Sequence, residues 1–359
     1  MTVRILTGDV RAKLAELADQ SIHCVVTSPP YFGLRDYGVA GQIGLEATPA
    51  EYVATMVAVF REVRRVLRDD GTLWLNLGDS YSSGGGLHDG REDNQSGVGA
   101  KRVWRDGSGR ADGIVDARGQ RNRNGIAVNG LPSKNLLGIP WRVAFALQED
   151  GWYLRQDIIW SKPNPMPESV TDRCTKAHEY LFLLSKSRKY YFDAEAISEP
   201  LTQSSIDRLS QPTLEQQEGS WRVPGKTNGA MKAVGGRPGG RKPDQFDERV
   251  SGAGRSGIGE GLATRNKRSV WEVATQPFSE AHFATFPPAL IEPCILAGCL
   301  KGGTVLDPFG GAGTTGLVAD RICRNAILIE LNPSYADMAE RRITDDGPLF
   351  AKVARRIFQ

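Results

Sequence analysis

Long apolar runs are missing from this chain. No stretch approaches the ~20 residues that a membrane-spanning helix requires, and no basic-then-apolar leader opens it. The expectation is a cytoplasmic protein with no membrane partner. Cysteine is sparse and odd in number, five in 359 residues (Cys24, Cys174, Cys294, Cys299, Cys323), which argues against a disulfide framework. Four of the five sit in apolar contexts and are expected to be reduced core thiols. Neither they nor the four histidines show CxxC or HxxxH spacing, so no metal is expected. Internal repeats are absent. Excess charge is small as well: the formal net charge is +3, which does not by itself indicate nucleic acid.

What remains is an ordinary globular composition, 40% hydrophobic and 24% charged. The length admits one large α/β domain plus a smaller module. Strand-like and helix-like segments alternate. Val3–Leu6 and Ile22–Thr27 read as strands, and Val10–Leu17 as a helix between them. Thr48-Pro49-Ala50-Glu51 opens a helix with a capping Thr, Pro at the first helical position and an early acid; its apolar face continues to Leu67. Gly71–Asn76, Leu154–Trp160, Tyr180–Leu184, Thr304–Leu306 and Ala326–Ile329 read as further strands, with helices at Trp141–Glu149 and Thr315–Arg321. The alternation predicts a mostly parallel sheet covered on both faces, with ligands bound at the carboxyl ends of its strands.

Two glycine-rich polar stretches interrupt this pattern, at about 82–131 and about 201–268. Neither has an apolar period, so both read as insertions. Between Trp221 and Arg268 stand eleven Lys or Arg against four Asp or Glu. A segment of this charge suits phosphate contacts, and equally suits a solvated loop.

Two short segments carry the chemistry. Thr27-Ser28-Pro29-Pro30-Tyr31 follows an apolar strand with a polar acceptor, two rigid prolines and an aromatic ring. Near the other end, Asp307-Pro308-Phe309-Gly310-Gly311-Ala312-Gly313-Thr314-Thr315 forms a glycine-rich turn between strand and helix, where the backbone can approach a ligand without Cβ interference. The spacing is not GxGxxG and no Lys follows the last Gly, which weakens dinucleotide and nucleoside-triphosphate readings. Glu330 ends the next strand, well placed to accept hydrogen bonds from ribose hydroxyls.

Together and in this order, the two segments resemble the S-adenosylmethionine-dependent DNA amino-methyltransferases, in the circularly permuted arrangement of the beta class. The resemblance implies a Rossmann-like methyltransferase sheet with permuted motif order and a small target-recognition insertion. It places the catalytic half at 1–200, target recognition at 201–268 and the cofactor-binding half at 269–359. It also implies a bacterial, archaeal or phage origin and duplex DNA as partner. A cognate restriction endonuclease and a homodimer are left open.

By resemblance, Asp307, Pro308, Phe309, Gly310, Gly311, Gly313, Thr314 and Thr315 cradle the methionine part of S-adenosylmethionine. Glu330 and Asn332 take the ribose end, and Asp9 borders the adenine or simply caps its helix. The segment His282–Pro287, with Thr285 and Phe286, corresponds to motif X at the cofactor's amino-acid end. The catalytic set is Ser28, Pro29, Pro30 and Tyr31: Ser28 Oγ and the Pro29 carbonyl accept the two amine protons, and Tyr31 clamps a base that must be flipped out of the helix. The segment Asp157–Pro167 resembles the loop bordering the target-base pocket. Trp160 and Tyr191 read equally as base contacts or core, and Arg35 as a phosphate contact or a partner of Asp36.

Serine at position 28, where many adenine-specific members carry Asp or Asn, favours N4 of cytosine; N6 of adenine is the alternative. An RNA methyltransferase and a non-catalytic DNA-binding protein are more remote alternatives. Carbon-5 chemistry needs a cysteine after a proline. Pro293-Cys294 supplies that dipeptide, but inside an apolar helix-like run where a core thiol is the expected reading.

Overall fold

The computed structural model describes residues 1–83, 126–127, 131–209, 264–276, 285–347 and 352–356. His282 and most of the two polar insertions lie outside the described residues. In chain order the elements are β1 (Thr2–Thr7), α1 (Val10–Ala15), β2 (Ile22–Thr27), α2 (Pro49–Val66), β3 (Leu67–Leu77), β4 (Ser82–Ser83) and β5 (Ile126–Ala127). There follow α3 (Ile139–Glu149), β6 (Tyr153–Ser161), β7 (His178–Ser185), β8 (Glu199–Pro200), α4 (Gln203–Leu209), β9 (Thr264–Arg265) and β10 (Val270–Glu272). The last are α5 (Pro288–Gly298), β11 (Thr304–Asp307), α6 (Thr314–Arg321), β12 (Asn325–Glu330), α7 (Pro333–Asp346) and β13 (Lys352–Arg356). Among the described residues no helix is long and apolar enough to cross a membrane.

Nine strands form one sheet in the order β10-β6-β7-β3-β2-β11-β12-β1-β13. Six pairings are parallel, and β7 alone runs against its neighbours. The expected mostly parallel sheet is present. Its central strands are apolar on both faces, as a doubly covered sheet requires. In β12, Ile327 and Ile329 join one core while Ala326 and Leu328 join the other. In β2, Val25 faces the first core and Cys24 and Val26 the second. The first core is roofed by α1, α2 and α3, the second by α5, α6 and α7. Each fully buried Val, Leu or Ile contributes roughly 1.5–3 kcal/mol, so a one-residue slip of any central strand would exchange two well-fitted faces.

Local signals explain the boundaries that matter. Thr48 Oγ1 accepts from the Glu51 amide and Glu51 Oε2 accepts from the Thr48 amide, a complete capping box with Pro49 at the first turn. The helix ends at Val66 and β3 begins at once at Leu67, four residues before the strand expected from Gly71. Leu67 pairs with Ile22 ahead of an irregularity in register, and that pairing extends the strand backwards. Besides α4 and the two-residue strands β4, β5, β8 and β9, three elements escaped the sequence reading. β10 is only three residues long, β13 is mostly charged, and α7 follows Asn332-Pro333, which reads equally as loop. Cysteine burial also differs: three thiols are buried, whereas Cys174 and Cys323 are exposed. Cys323 sits at φ 61° in the turn before β12, where the chain reverses at the surface.

The helix α5 crosses the sheet closely because it ends in Gly298. A Cβ there would stand 2.5 Å from Thr72 Oγ1 and 2.8 Å from both Cys24 Sγ and Trp74 Nε1, all on buried side chains. We expect Gly298→Ala to destabilise by about 1–3 kcal/mol through overpacking. Chemical denaturation should show a lower midpoint with an unchanged slope.

Candidate functional site

The two motifs, some 280 residues apart, meet because β2 and β11 are neighbours in the sheet. Successive strands leave this point in opposite directions, towards β3 on one side and β12 on the other. It is the topological switch point of the sheet, where the loops after the two strands diverge and leave a crevice. A cavity of about 1090 Å³ opens there.

Asp307 closes the seam below the cavity. Its carboxylate accepts from Thr27 Oγ1 at 2.7 Å, from Thr315 Oγ1 at 2.6 Å and from the Phe309 amide at 3.0 Å. Burial pushes its pKa up to about 6, with the three donors offsetting part of that cost. Asp307 was expected at the cofactor, and here its carboxylate is taken up by these three donors. It lies off the cavity wall, as does its partner Thr315, and its bond with Thr27 holds the two motifs together. Gly313 is also off the wall. At φ +78°, its missing Cβ makes room for Ala339 of α7 only 2.8 Å away.

The other expected cofactor residues do line the cavity: Asp9, Thr285, Phe286, Pro308, Phe309, Gly310, Gly311, Thr314, Glu330 and Asn332. Glu330 stands at the end of β12 with Oε2 accepting from the Gly311 amide and Oε1 from the Asn332 amide, both at 2.8 Å. Burial raises its pKa and these amides oppose the shift. Each oxygen keeps a further lone pair for a hydroxyl donor. Asp9 caps α1, accepting from the amides of Arg11 and Ala12, so its capping reading holds while it also borders the cavity. Asn332 likewise caps α7 through the Ser334 amide. Above this end, a loop is tied off by the Gly33 amide on the Gly44 carbonyl at 2.6 Å. It sets the Tyr37 ring edge-on to Tyr335 of α7 at 6.4 Å. Arg35 is also on the wall, and Asp36 accepts from the Gly38 amide.

Ser28, Pro29, Pro30 and Tyr31 form the opposite wall. The Tyr52 hydroxyl donates to the Pro30 carbonyl at 2.8 Å. Among the described residues no donor takes the Pro29 carbonyl. Ser28 Oγ donates to the Tyr31 hydroxyl at 3.2 Å. That hydroxyl lies 2.8 Å from Glu179 Oε2 and 3.0 Å from Asn76 Oδ1. Glu179 Oε1 accepts from Lys162 Nζ, and Asn76 Nδ2 donates to Glu179 Oε2 and to the Tyr180 carbonyl. Burial, and next the Glu179 carboxylate, hold the Tyr31 phenol protonated well above its ordinary range. The Tyr31 ring packs on Gly78, where a Cβ would stand 2.5 Å from Cε2.

Sequence reasoning missed Glu179 and Asn76 as site residues, and placed Lys162 only within the segment bordering the pocket. Their strands and loop were legible, and a lone acid amid the apolar run of β7 was the available signal. Trp160 is buried, with Nε1 donating to the Val273 carbonyl at 2.7 Å, and it also reaches the cavity. Tyr191 does not reach it. Asn164 pins the 161–167 loop through two bonds with Thr275, at 2.9 and 3.1 Å. Two cations of the basic stretch, Arg265 and Lys267, pair with Glu199 at 3.4 and 3.3 Å, which occupies them within the neck of that segment. Cys294 is buried in α5 with its thiol pKa raised by burial, so it presents no nucleophile to the cavity.

A family model described as DNA methylase matches residues 22–341. The chain is 42% identical over 340 residues to the Type II methyltransferase M.SmaI of Serratia marcescens, covering 95% of this chain and 90% of that one. It is 41% identical over 350 residues to M.Cfr9I of Citrobacter freundii, covering 98% and 90%. Among solved structures, the cytosine-N4-specific PvuII DNA methyltransferase aligns with a TM-score of 0.55 at 18% identity, over 96% of this chain and 92% of that one. A Thermus thermophilus DNA modification methylase complexed with S-adenosyl-L-methionine aligns with a TM-score of 0.52 at 21% identity, over 98% and 100%. At these identities the structures speak to the fold.

The Asp307 seam carries a pH signature. With its folded pKa near 6 and an unfolded value near 3.9, the folded state binds the extra proton first. Lowering pH from 7 to 5 should therefore stabilise the wild type relative to Asp307→Asn, by on the order of 1 kcal/mol. Paired denaturation curves across that range measure the difference, and a gap that shrinks or stays flat would contradict the assignment.

Proposed function

The chain belongs to the DNA methylase family of amino-methyltransferases, and from that premise we propose that it methylates N4 of cytosine in duplex DNA, using S-adenosylmethionine. The observation that carries the reading is the Ser28–Tyr31 wall facing the glycine turn and Glu330 across one cavity. An exocyclic amine is a poor nucleophile because its lone pair is delocalised into the base. Two acceptors that hold its N–H protons draw the nitrogen towards a tetrahedral shape and free the lone pair. Ser28 Oγ and the Pro29 carbonyl are such acceptors, held in place by two prolines with little freedom to reorganise.

The cofactor cradle fits S-adenosylmethionine: Glu330 offers lone pairs to ribose hydroxyls, Phe309 an apolar face, and the turn an open backbone at Gly310 and Gly311. When bound, the cofactor would supply a methyl group on a sulfonium for direct transfer to the amine nitrogen, which would give up one of its protons to solvent. Tyr31 borders the base and Trp160 closes the pocket beside it. A base within a duplex cannot enter this cavity, so the reading requires flipping. Serine at position 28, with no carboxylate or amide there, supports cytosine; adenine N6 remains the second reading on the same wall.

Residues 201–268 are proposed as the target-recognition region. Pairing of β8 with β9 supports this by bringing the ends of that segment together. The Type II names of the relatives support a restriction–modification role beside an endonuclease of the same target.

Nucleoside mass spectrometry of unmethylated DNA treated with the protein and S-adenosylmethionine should detect N4-methylcytosine. N6-methyladenine instead would reassign the base and leave the cavity chemistry in place. Ser28→Ala should abolish detectable transfer. Gly78→Ala should displace the Tyr31 ring and lower kcat by about 100-fold, as ångström-scale misplacement does, with S-adenosylmethionine affinity within threefold of wild type by calorimetry.

A further inference from the structure

The cavity chemistry above requires Ser28 Oγ to accept, yet a serine hydroxyl donates as readily as it accepts. If its proton pointed into the cavity it would oppose the amine N–H. What fixes the direction lies behind the wall. Ser28 Oγ donates to the Tyr31 hydroxyl at 3.2 Å, which leaves both serine lone pairs free. The Tyr31 hydroxyl can receive that bond only if its own single proton is committed elsewhere. The nearest acceptor is Glu179 Oε2 at 2.8 Å, ahead of the neutral Asn76 Oδ1 at 3.0 Å. A carboxylate that is ionised is acceptor-only, and Lys162 and the Asn76 amide both donate into this one. Lys162 is held in turn over the Trp160 ring at 4.2 Å.

We propose that the Lys162–Glu179 pair positions the catalytic hydroxyls, forcing the proton order Ser28 to Tyr31 to Glu179 so that Ser28 meets the amine as an acceptor. The inference rests on the amino-methyltransferase reading and deepens it. It assigns Glu179 and Lys162 as positioning residues acting through Tyr31, and no proton has to travel along the chain. Removing the charge while keeping the shape should break the order. In Glu179→Gln, Lys162 can only donate, so the amide turns its carbonyl to Lys162 and its NH2 towards Tyr31. Tyr31 then receives a bond from behind and competes to donate towards Ser28.

Two measurements test this. The first needs no turnover: NMR titration of ring-labelled tyrosine, with Tyr31 assigned by its loss in Tyr31→Phe. In Glu179→Gln the Tyr31 phenol should ionise at lower pH than in wild type, because a neighbouring negative charge is gone while its burial stays. An unchanged Tyr31 titration overturns the contact, whatever the protein does to DNA.

The second is kinetic. Glu179→Gln should lower kcat by about 10- to 100-fold, the range for losing one hydrogen bond to a charged group. KM for S-adenosylmethionine and for DNA should stay within threefold. In the Tyr31→Phe background the same substitution should cost less than threefold more, since its route to Ser28 is already cut. Multiplying effects in the double variant, or a kcat within threefold of wild type in Glu179→Gln, would overturn the positioning role. Wild-type protein that methylates no DNA would sink the functional reading, while the titration would still decide the hydrogen-bond order.

Discussion

The site depends on one buried carboxylate. Asp307 receives hydroxyls from Thr27 and Thr315 and so ties the end of β2, the end of β11 and the start of α6 at a single point. A buried charge is costly, and here three donors offset part of that cost. In exchange for a carboxylate held out of water, two loops from opposite ends of the chain are set in one register. Without that tie, the wall bearing Ser28 and the turn bearing Gly310 and Gly311 would be joined only by the short β2–β11 ladder, which pairs two residues of each strand.

Above the seam, the cavity divides by chemistry. The side formed by β11, β12 and α7 presents backbone, an apolar Phe309 and the partly satisfied Glu330. The side formed by β2, β3 and β7 presents hydroxyls whose protons are drawn inward by Glu179. The antiparallel strand β7 brings that carboxylate to Tyr31, since its register sets Tyr180 against Leu77 and Leu181 against Asn76. A fully parallel sheet would have put the start of β7 at the opposite edge, far from the loops. The single reversed strand is thus a feature of the site as well as of the fold.

Much of this was legible. The strands β1, β2, β6, β11 and β12 and the capped start of α2 follow from apolar runs and capping residues, signals confined to a few neighbours in sequence. The two motifs announced the cavity because their turn chemistry is equally local. Other features depend on what packs nearby. Asp307 looked like a ligand residue, but only the approach of Thr27 shows that its carboxylate faces inward. Gly313 looked like part of the cradle, but its bare Cα serves α7, a helix the pattern did not reveal. Glu179 went unremarked because its partner Tyr31 is 148 positions away.

By itself, the sequence determined the alternation of strands and helices, the permuted order of the two motifs and the residue types offered to a ligand. Those rest on side-chain periodicity and backbone preference, which act over a few residues. Tertiary structure alone decided which of those residues face the cavity, which serve as its fastenings, and which way the hydroxyl protons point. These are settled by sheet order and by the need of each buried polar atom for a partner, and such partners come from strands far apart in the chain.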